Sequence, residues 1–229
     1  MFKKHLKFLL VFLLISLLQL VGRYFNIECL KIFTTPLIVI WLIIFLIATT
    51  SLKGRFHKRL FIGMVLALIG DLLLLFVHLD EKYFSYGLAA FMLSHISYTR
   101  AFYLDFKSAP DLDKKGARLA IIFCAVLSTV FFFYLRPYLG AMRVPVLAYT
   151  LVISLMMMMA VFRHLRVNVV SFNLIFVGVA CFMLSDALVA YQKFVIGFAG
   201  SNVAIMATYM TAQYLITLGA VERQLINKT

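Results

Sequence analysis

Apolar residues fill this chain in long runs, broken by short gaps that are polar and mostly basic. A helix needs about 20 residues to cross the hydrocarbon core of a bilayer, and the runs approach that length. They predict eight membrane spans, at 8–22, 35–50, 60–77, 84–104, 118–135, 144–162, 169–191 and 202–220. Lys3, Lys4 and Lys7 precede the first run, as they would in a secretory signal peptide. No small-x-small cleavage site follows, and Gly22-Arg23-Tyr24 is a poor substitute, so an uncleaved first span is expected. The second span is expected to open on Thr35-Pro36, because proline is tolerated in the first turn of a helix. The longest polar gap, DFKSAPDLDKKGA at 105–117, divides the chain into four spans plus four. A four-span unit returns to its starting side, so two such halves would be parallel repeats. Gly70-Asp71 near the end of span 3 echoes Ser185-Asp186 near the end of span 7. An unrelated origin for the two pairs stays open.

Composition narrows the class. The chain is 64% apolar and 14% charged over 229 residues, with a mean hydropathy of +1.02. A soluble domain carries roughly a quarter charged residues, so a water-soluble globule is excluded. High hydrophobicity excludes disorder, and three cysteines do not make a disulfide scaffold. The expected fold is all-α, a polytopic membrane protein whose residues 1–229 form a single integral domain. Cys124 and Cys181 fall inside spans as small packing residues, and Cys29 lies alone in a gap.

The net charge of +13 invites a nucleic-acid partner. The basic residues contradict that reading, because they sit in the gaps between spans rather than on one basic face. Cytoplasmic gaps carry the excess of Lys and Arg in membrane proteins. Of the 22 Lys and Arg, 15 fall on the amino-terminal side and 6 on the other, with Arg100 at the end of span 4. Both termini are therefore expected in the cytoplasm.

Seven of the nine acidic residues fall in gaps or at span edges: Glu28, Asp80, Glu81, Asp105, Asp111, Asp113 and Glu222. They read as solvated loop charges. Only Asp71, in LALIGDLLLLF, and Asp186, in VACFMLSDALVA, lie inside apolar runs. An ionised Asp at mid-helix disfavours insertion by about 2.5–3.5 kcal/mol. A chain that carries two is expected to need them, with helix-to-helix hydrogen bonding as the plainer reading. Each lies seven residues before its predicted exit, so both are expected about 10 Å deep in the same half of the bilayer. Near that level fall His95 and, three residues on, Tyr98 in span 4, with Tyr209 and Gln213 in span 8. Each of these four is either a packing or hydrogen-bonding group or part of a site.

Two buried carboxyls suit proton transfer, since desolvation and a like-charged neighbour both favour a mixed, half-protonated pair. One aspartate is then a general acid, and the other activates water. No metal or other cofactor is implied. A zinc site needs three or more clustered ligands, and the predicted membrane interior offers one histidine, His95.

The segments IGDLLLLF (69–76), GLAAFMLSHISYTRAF (87–102), GVACFMLSDALVAYQKF (178–194) and TYMTAQYLITLG (208–219) resemble the YhhN-type lysoplasmalogenase family. The resemblance rests on Gly-Asp, His-x-x-Tyr-x-x-Ala-Phe, Ser-Asp and Tyr-x-x-x-Gln in that order, and runs from about 36 to 220. It implies eight helices and hydrolysis of the vinyl-ether bond of a lysophospholipid to a fatty aldehyde and a glycerophospho-headgroup. It makes Asp71 and Asp186 catalytic, with His95, Tyr98, Ser185, Tyr209 and Gln213 in support. The expected partners are the lipid substrate and the bilayer, and the expected location is a bacterial plasma membrane. One departure stands at Thr35-Pro36, where the family often has Lys-Pro, which bears on headgroup preference. Two other classes compete. A proton-coupled lipid transporter or flippase would also use intramembrane acids, and a scaffold would use the pair as structural glue.

Overall fold

The computed structural model describes residues 5–109 and 114–226. Among them the chain forms eight α-helices: α1 Leu6–Tyr24, α2 Glu28–Thr50, α3 Gly54–Leu75, α4 Lys82–Ser108, α5 Lys114–Leu135, α6 Arg143–Val161, α7 Val169–Phe194 and α8 Ser201–Val221. Helices satisfy their own backbone groups, which is what an apolar environment demands. Six of them (α1, α2, α5, α6, α7 and α8) are long and apolar enough to cross a membrane. α3 and α4 fall outside that set. They carry many of the polar side chains that the bundle turns inward, among them Asp71, Ser94, His95 and Asp105, all buried. Leucines and phenylalanines of α1 and α5, such as Leu14, Leu17 and Phe133, face outward and are exposed.

Three expectations are corrected. α2 begins at Glu28 and takes Pro36 into its interior rather than opening on it. Proline there leaves a carbonyl without its N–H partner. The hydroxyls of Thr34 and Thr35 bond back to the carbonyls of Leu30 and Lys31, each at 2.6 Å. Gln19 of α1 donates to the Thr35 hydroxyl at 2.9 Å and accepts from Thr34, so the neighbouring helix braces this turn. Second, α3 ends at Leu75, four residues past Asp71, whereas α7 continues eight residues past Asp186 to Phe194. After Leu75 the chain turns, with Leu79 N donating to Phe76 O at 2.9 Å. Third, α4 runs on to Ser108, so the gap expected at 105–117 begins inside a helix.

Asp105 is consequently not a solvated loop charge. It is fully buried, and its carboxylate accepts from Arg163 Nε and Arg223 Nε, each at 2.8 Å. Arg163 also donates to the Ser171 hydroxyl at 2.8 Å, and that hydroxyl donates to the Gly219 carbonyl at 2.6 Å. A buried charge persists only when paired and hydrogen-bonded, and this one joins α4, α7, α8 and the turns after α6 and α8. Lys3, Lys4, Asp111, Asp113 and Lys228 lie outside the described residues, as do the side chains of Lys114 and Lys115.

The helices pack in the same order twice. α1 lies on α2, α2 on α3 and α3 on α4; α5 lies on α6, α6 on α7 and α7 on α8. An offset of 115 residues carries Glu28 at the start of α2 to Arg143 at the start of α6, and Gly54 of α3 to Val169 of α7. The same offset carries Gly63 to Gly178 and Asp71 to Asp186. Both glycines admit the next helix at close range. A Cβ on Gly63 would lie 2.5 Å from the Tyr98 ring, and one on Gly178 would lie 3.0 Å from Ile216 N. Across the halves, α4 packs on α6 and α8 on α2. One contact has no comparable counterpart among the described residues: α1 packs on α8, but α5 does not pack to a similar extent on α4.

Candidate active site

A cavity of about 550 Å³ occupies the place where α5 leaves α4 uncovered, and helices α3 to α8 all line it. Its wall is mostly apolar, including Leu88, Phe91, Leu127, Ile153, Met183 and Met206. Into that wall open Asp71, Asp186, Tyr149 and Tyr209, with the smaller hydroxyls of Ser128, Thr150 and Ser185.

Each carboxyl hangs on a separate hydrogen-bond network. Tyr98 donates its hydroxyl to Gln213 Oε1 at 3.0 Å, Gln213 Nε2 donates to the Tyr209 hydroxyl at 3.2 Å, and Tyr209 donates to Asp71 Oδ2 at 2.6 Å. Every donor in this chain points toward Asp71. On the other side, the Tyr149 hydroxyl donates to Asp186 Oδ2 at 2.8 Å. His95 Nε2 lies 2.9 Å from that same oxygen and 2.9 Å from the Tyr149 hydroxyl. Two donors thus converge on one carboxylate oxygen and fix its position. Among the described residues His95 Nδ1 is buried with no hydrogen-bond partner, which leaves Nε2 as the nitrogen that carries the proton toward Asp186. The ring of Phe182 separates the networks, edge to face with His95 at 4.7 Å and with Tyr209 at 5.5 Å.

Of the residues singled out in the sequence, Asp71, Asp186, Tyr209 and Ser185 line the cavity. His95, Tyr98 and Gln213 stand directly behind them, fully buried. Ser185 does not reach either carboxyl; its hydroxyl donates to the Ile205 carbonyl at 3.1 Å and ties α7 to α8. The sequence reading missed Tyr149. Tyrosines are common in membrane helices, and this one gains meaning only from the packing of α6 on α4, which no local pattern announces. Among the described residues no group of three His, Cys, Asp or Glu gathers in a way that could hold a metal ion.

The profile of the YhhN family matches residues 30–220 of the chain, well over half of it. The chain belongs to the YhhN family. Two mammalian relatives carry the name "Lysoplasmalogenase TMEM86A". The one from Bos taurus is 30% identical over 72% of this chain and 65% of its own length. The one from Homo sapiens is 30% identical over 82% of this chain and 75% of its own length. A protein of Mycobacterium bovis named "Lysoplasmalogenase" is 29% identical over 72% of this chain and 61% of its own length. The chain thus spans just under two thirds of the bovine and mycobacterial YhhN relatives. No solved structure matches it.

Proposed function

We propose that this YhhN-family chain hydrolyses the vinyl-ether bond of lysoplasmalogens inside the membrane, with Asp71 and Asp186 as acid and base. The observation that carries the proposal is that both carboxyls, each held by a tyrosine hydroxyl, face one apolar cavity. The names of the mammalian and mycobacterial relatives support the choice of substrate.

A vinyl ether is cleaved by a proton delivered to its outer alkene carbon, which leaves an oxocarbenium ion. Asp71, backed by a single tyrosine donor, gives that proton. Asp186, its carboxylate fixed by Tyr149 and His95, faces the cation and takes a proton from the water that adds to it. The hemiacetal so formed breaks to a fatty aldehyde and the glycerophospho-alcohol. The long alkenyl chain lies along Leu127, Ile153, Met157 and Met183. His95, Tyr98, Tyr209 and Gln213 orient the two acids, and Ser185 holds α7 against α8. The orientation that fits the charge distribution has eight spans in two parallel halves, with both termini in the cytoplasm of a bacterial plasma membrane.

The test is mass spectrometry of purified protein incubated with alkenyl, alkyl and acyl lysophospholipids. Aldehyde is expected from the alkenyl form alone, and Asp71→Asn and Asp186→Asn are each expected to lower the rate about 100-fold or more. Full activity in both variants would overturn the two-acid mechanism. Lipid flux across liposomes without any chemical change would overturn the hydrolase.

A further inference from the structure

A charged pair stands just outside one end of the cavity, and the chemistry above does not use it. α4 begins and α7 ends beside each other there, and Phe84 and Phe194 close the lining with their rings 5.9 Å apart, edge to face. Directly over the Phe84 ring, at 5.2 Å, lies the ammonium of Lys193. Lys193 Nζ pairs with Glu81 Oε1 at 3.3 Å. The connection between α5 and α6 completes the rim, where Ser85 Oγ meets Met142 Sδ at 4.0 Å and Leu139 packs with Phe194. Both members of the ion pair are open to solvent, with 35% and 89% of their side chains exposed, and so exposed a pair holds weakly.

We propose that Lys193 and Glu81 are a headgroup clamp for a zwitterionic phospholipid: Lys193 takes the phosphate, and Glu81 takes the ammonium a few bonds beyond it. This rests on the reading of the cavity as a lysolipid site. Three features place the clamp. First, Lys193 follows Asp186 by seven residues on one helix, so it stands on the same face, about 10 Å further along the axis. Second, six bonds separate the ether-bearing alkene carbon from the phosphorus of such a lipid, roughly 7 Å at ordinary bond lengths. A hydrogen bond from a phosphate oxygen to Lys193 covers the remainder. Third, Phe84 offers its face to a cation, so a quaternary or primary ammonium entering beside Glu81 meets a carboxylate and an aromatic ring together. Opening the resting pair exchanges one ion pair for two with the ligand.

The experiment measures binding as well as turnover, because the two can fail separately. The non-cleavable probe is a saturated alkyl-ether lysophosphocholine, titrated by calorimetry into the full-length protein in nanodiscs. The headgroup-free control is the matching alkylglycerol. The wild-type protein is expected to prefer the phosphocholine form. Lys193→Gln and Glu81→Gln are each expected to lower that preference roughly three- to fivefold, with Lys193→Arg retaining it and alkylglycerol binding unchanged throughout. On the alkenyl substrate the same variants are expected to raise KM and leave kcat unaltered. Equal binding of the two probes by wild type, or an unchanged preference in both Gln variants, would overturn the clamp. Absence of vinyl-ether cleavage with the headgroup preference intact would overturn the hydrolase and leave the clamp standing.

Discussion

At the scale of single residues, the two acids differ in what holds them. Asp186 accepts from both Tyr149 and His95 on one oxygen, whereas among the described residues Asp71 accepts from Tyr209 alone. Hydrogen bonds to a charged group contribute about 1.5–3 kcal/mol, so losing one at Asp186 has a defined cost. Tyr149→Phe keeps the ring and removes the donor. It is expected to lower kcat about 10- to 100-fold with little change in KM, as for a bond that matters in the transition state; steady-state kinetics on an alkenyl lysolipid decides it. A fall in affinity with kcat intact would assign Tyr149 to binding instead. Both aspartates were legible in the sequence because a carboxyl inside an apolar run is costly and therefore conspicuous. Tyr149 was not, since a tyrosine costs little there and its role arises from another helix.

At the scale of elements, the sequence revealed where helices lie better than where they end. All eight predicted runs overlap helices, yet α2 starts ahead of its predicted span and encloses Pro36. A rule about proline in a first turn could not foresee that Thr34, Thr35 and Gln19 would support the turn from across the interface. Close helix contacts depend on glycine in a similarly nonlocal way. At Gly178 two of the three nearest atoms are backbone, Ile216 N and Ala212 O, beside the Ile216 side chain, so a bulky residue there must push α8 away. Overpacking costs typically 1–3 kcal/mol. Gly178→Leu is expected to lower the thermal midpoint of the purified protein and to weaken activity with it, because α8 carries Tyr209 and Gln213. Unchanged melting would show that α7 and α8 are more loosely joined than their geometry implies.

At the scale of the whole molecule, the cavity is the consequence of one missing contact. Two halves pack alike and α1 covers α8, but among the described residues α5 does not cover α4 to the same extent. No pattern along the chain encodes an absence of that kind, which is why the sequence supplied candidate acids but no pocket. The buried charge at Asp105 was hidden for a related reason: its position at a predicted span edge suggested solvent, and only the convergence of Arg163 and Arg223 makes it interior. Removing one partner of a buried pair costs about 3–5 kcal/mol. Asp105→Asn is therefore expected to destabilise the protein strongly in thermal melts while the folded fraction keeps its turnover, since neither network around the cavity includes Asp105. The Phe182 ring has a further consequence for the proposed reaction. With no hydrogen bond joining the two networks among the described residues, a proton spent by Asp71 has no direct way back from Asp186. The substrate itself must close the circuit: as the hemiacetal breaks, its hydroxyl proton returns to Asp71 and Asp186 reprotonates the departing glyceryl oxygen. Each turnover then leaves both acids as it found them, without exchange with bulk water.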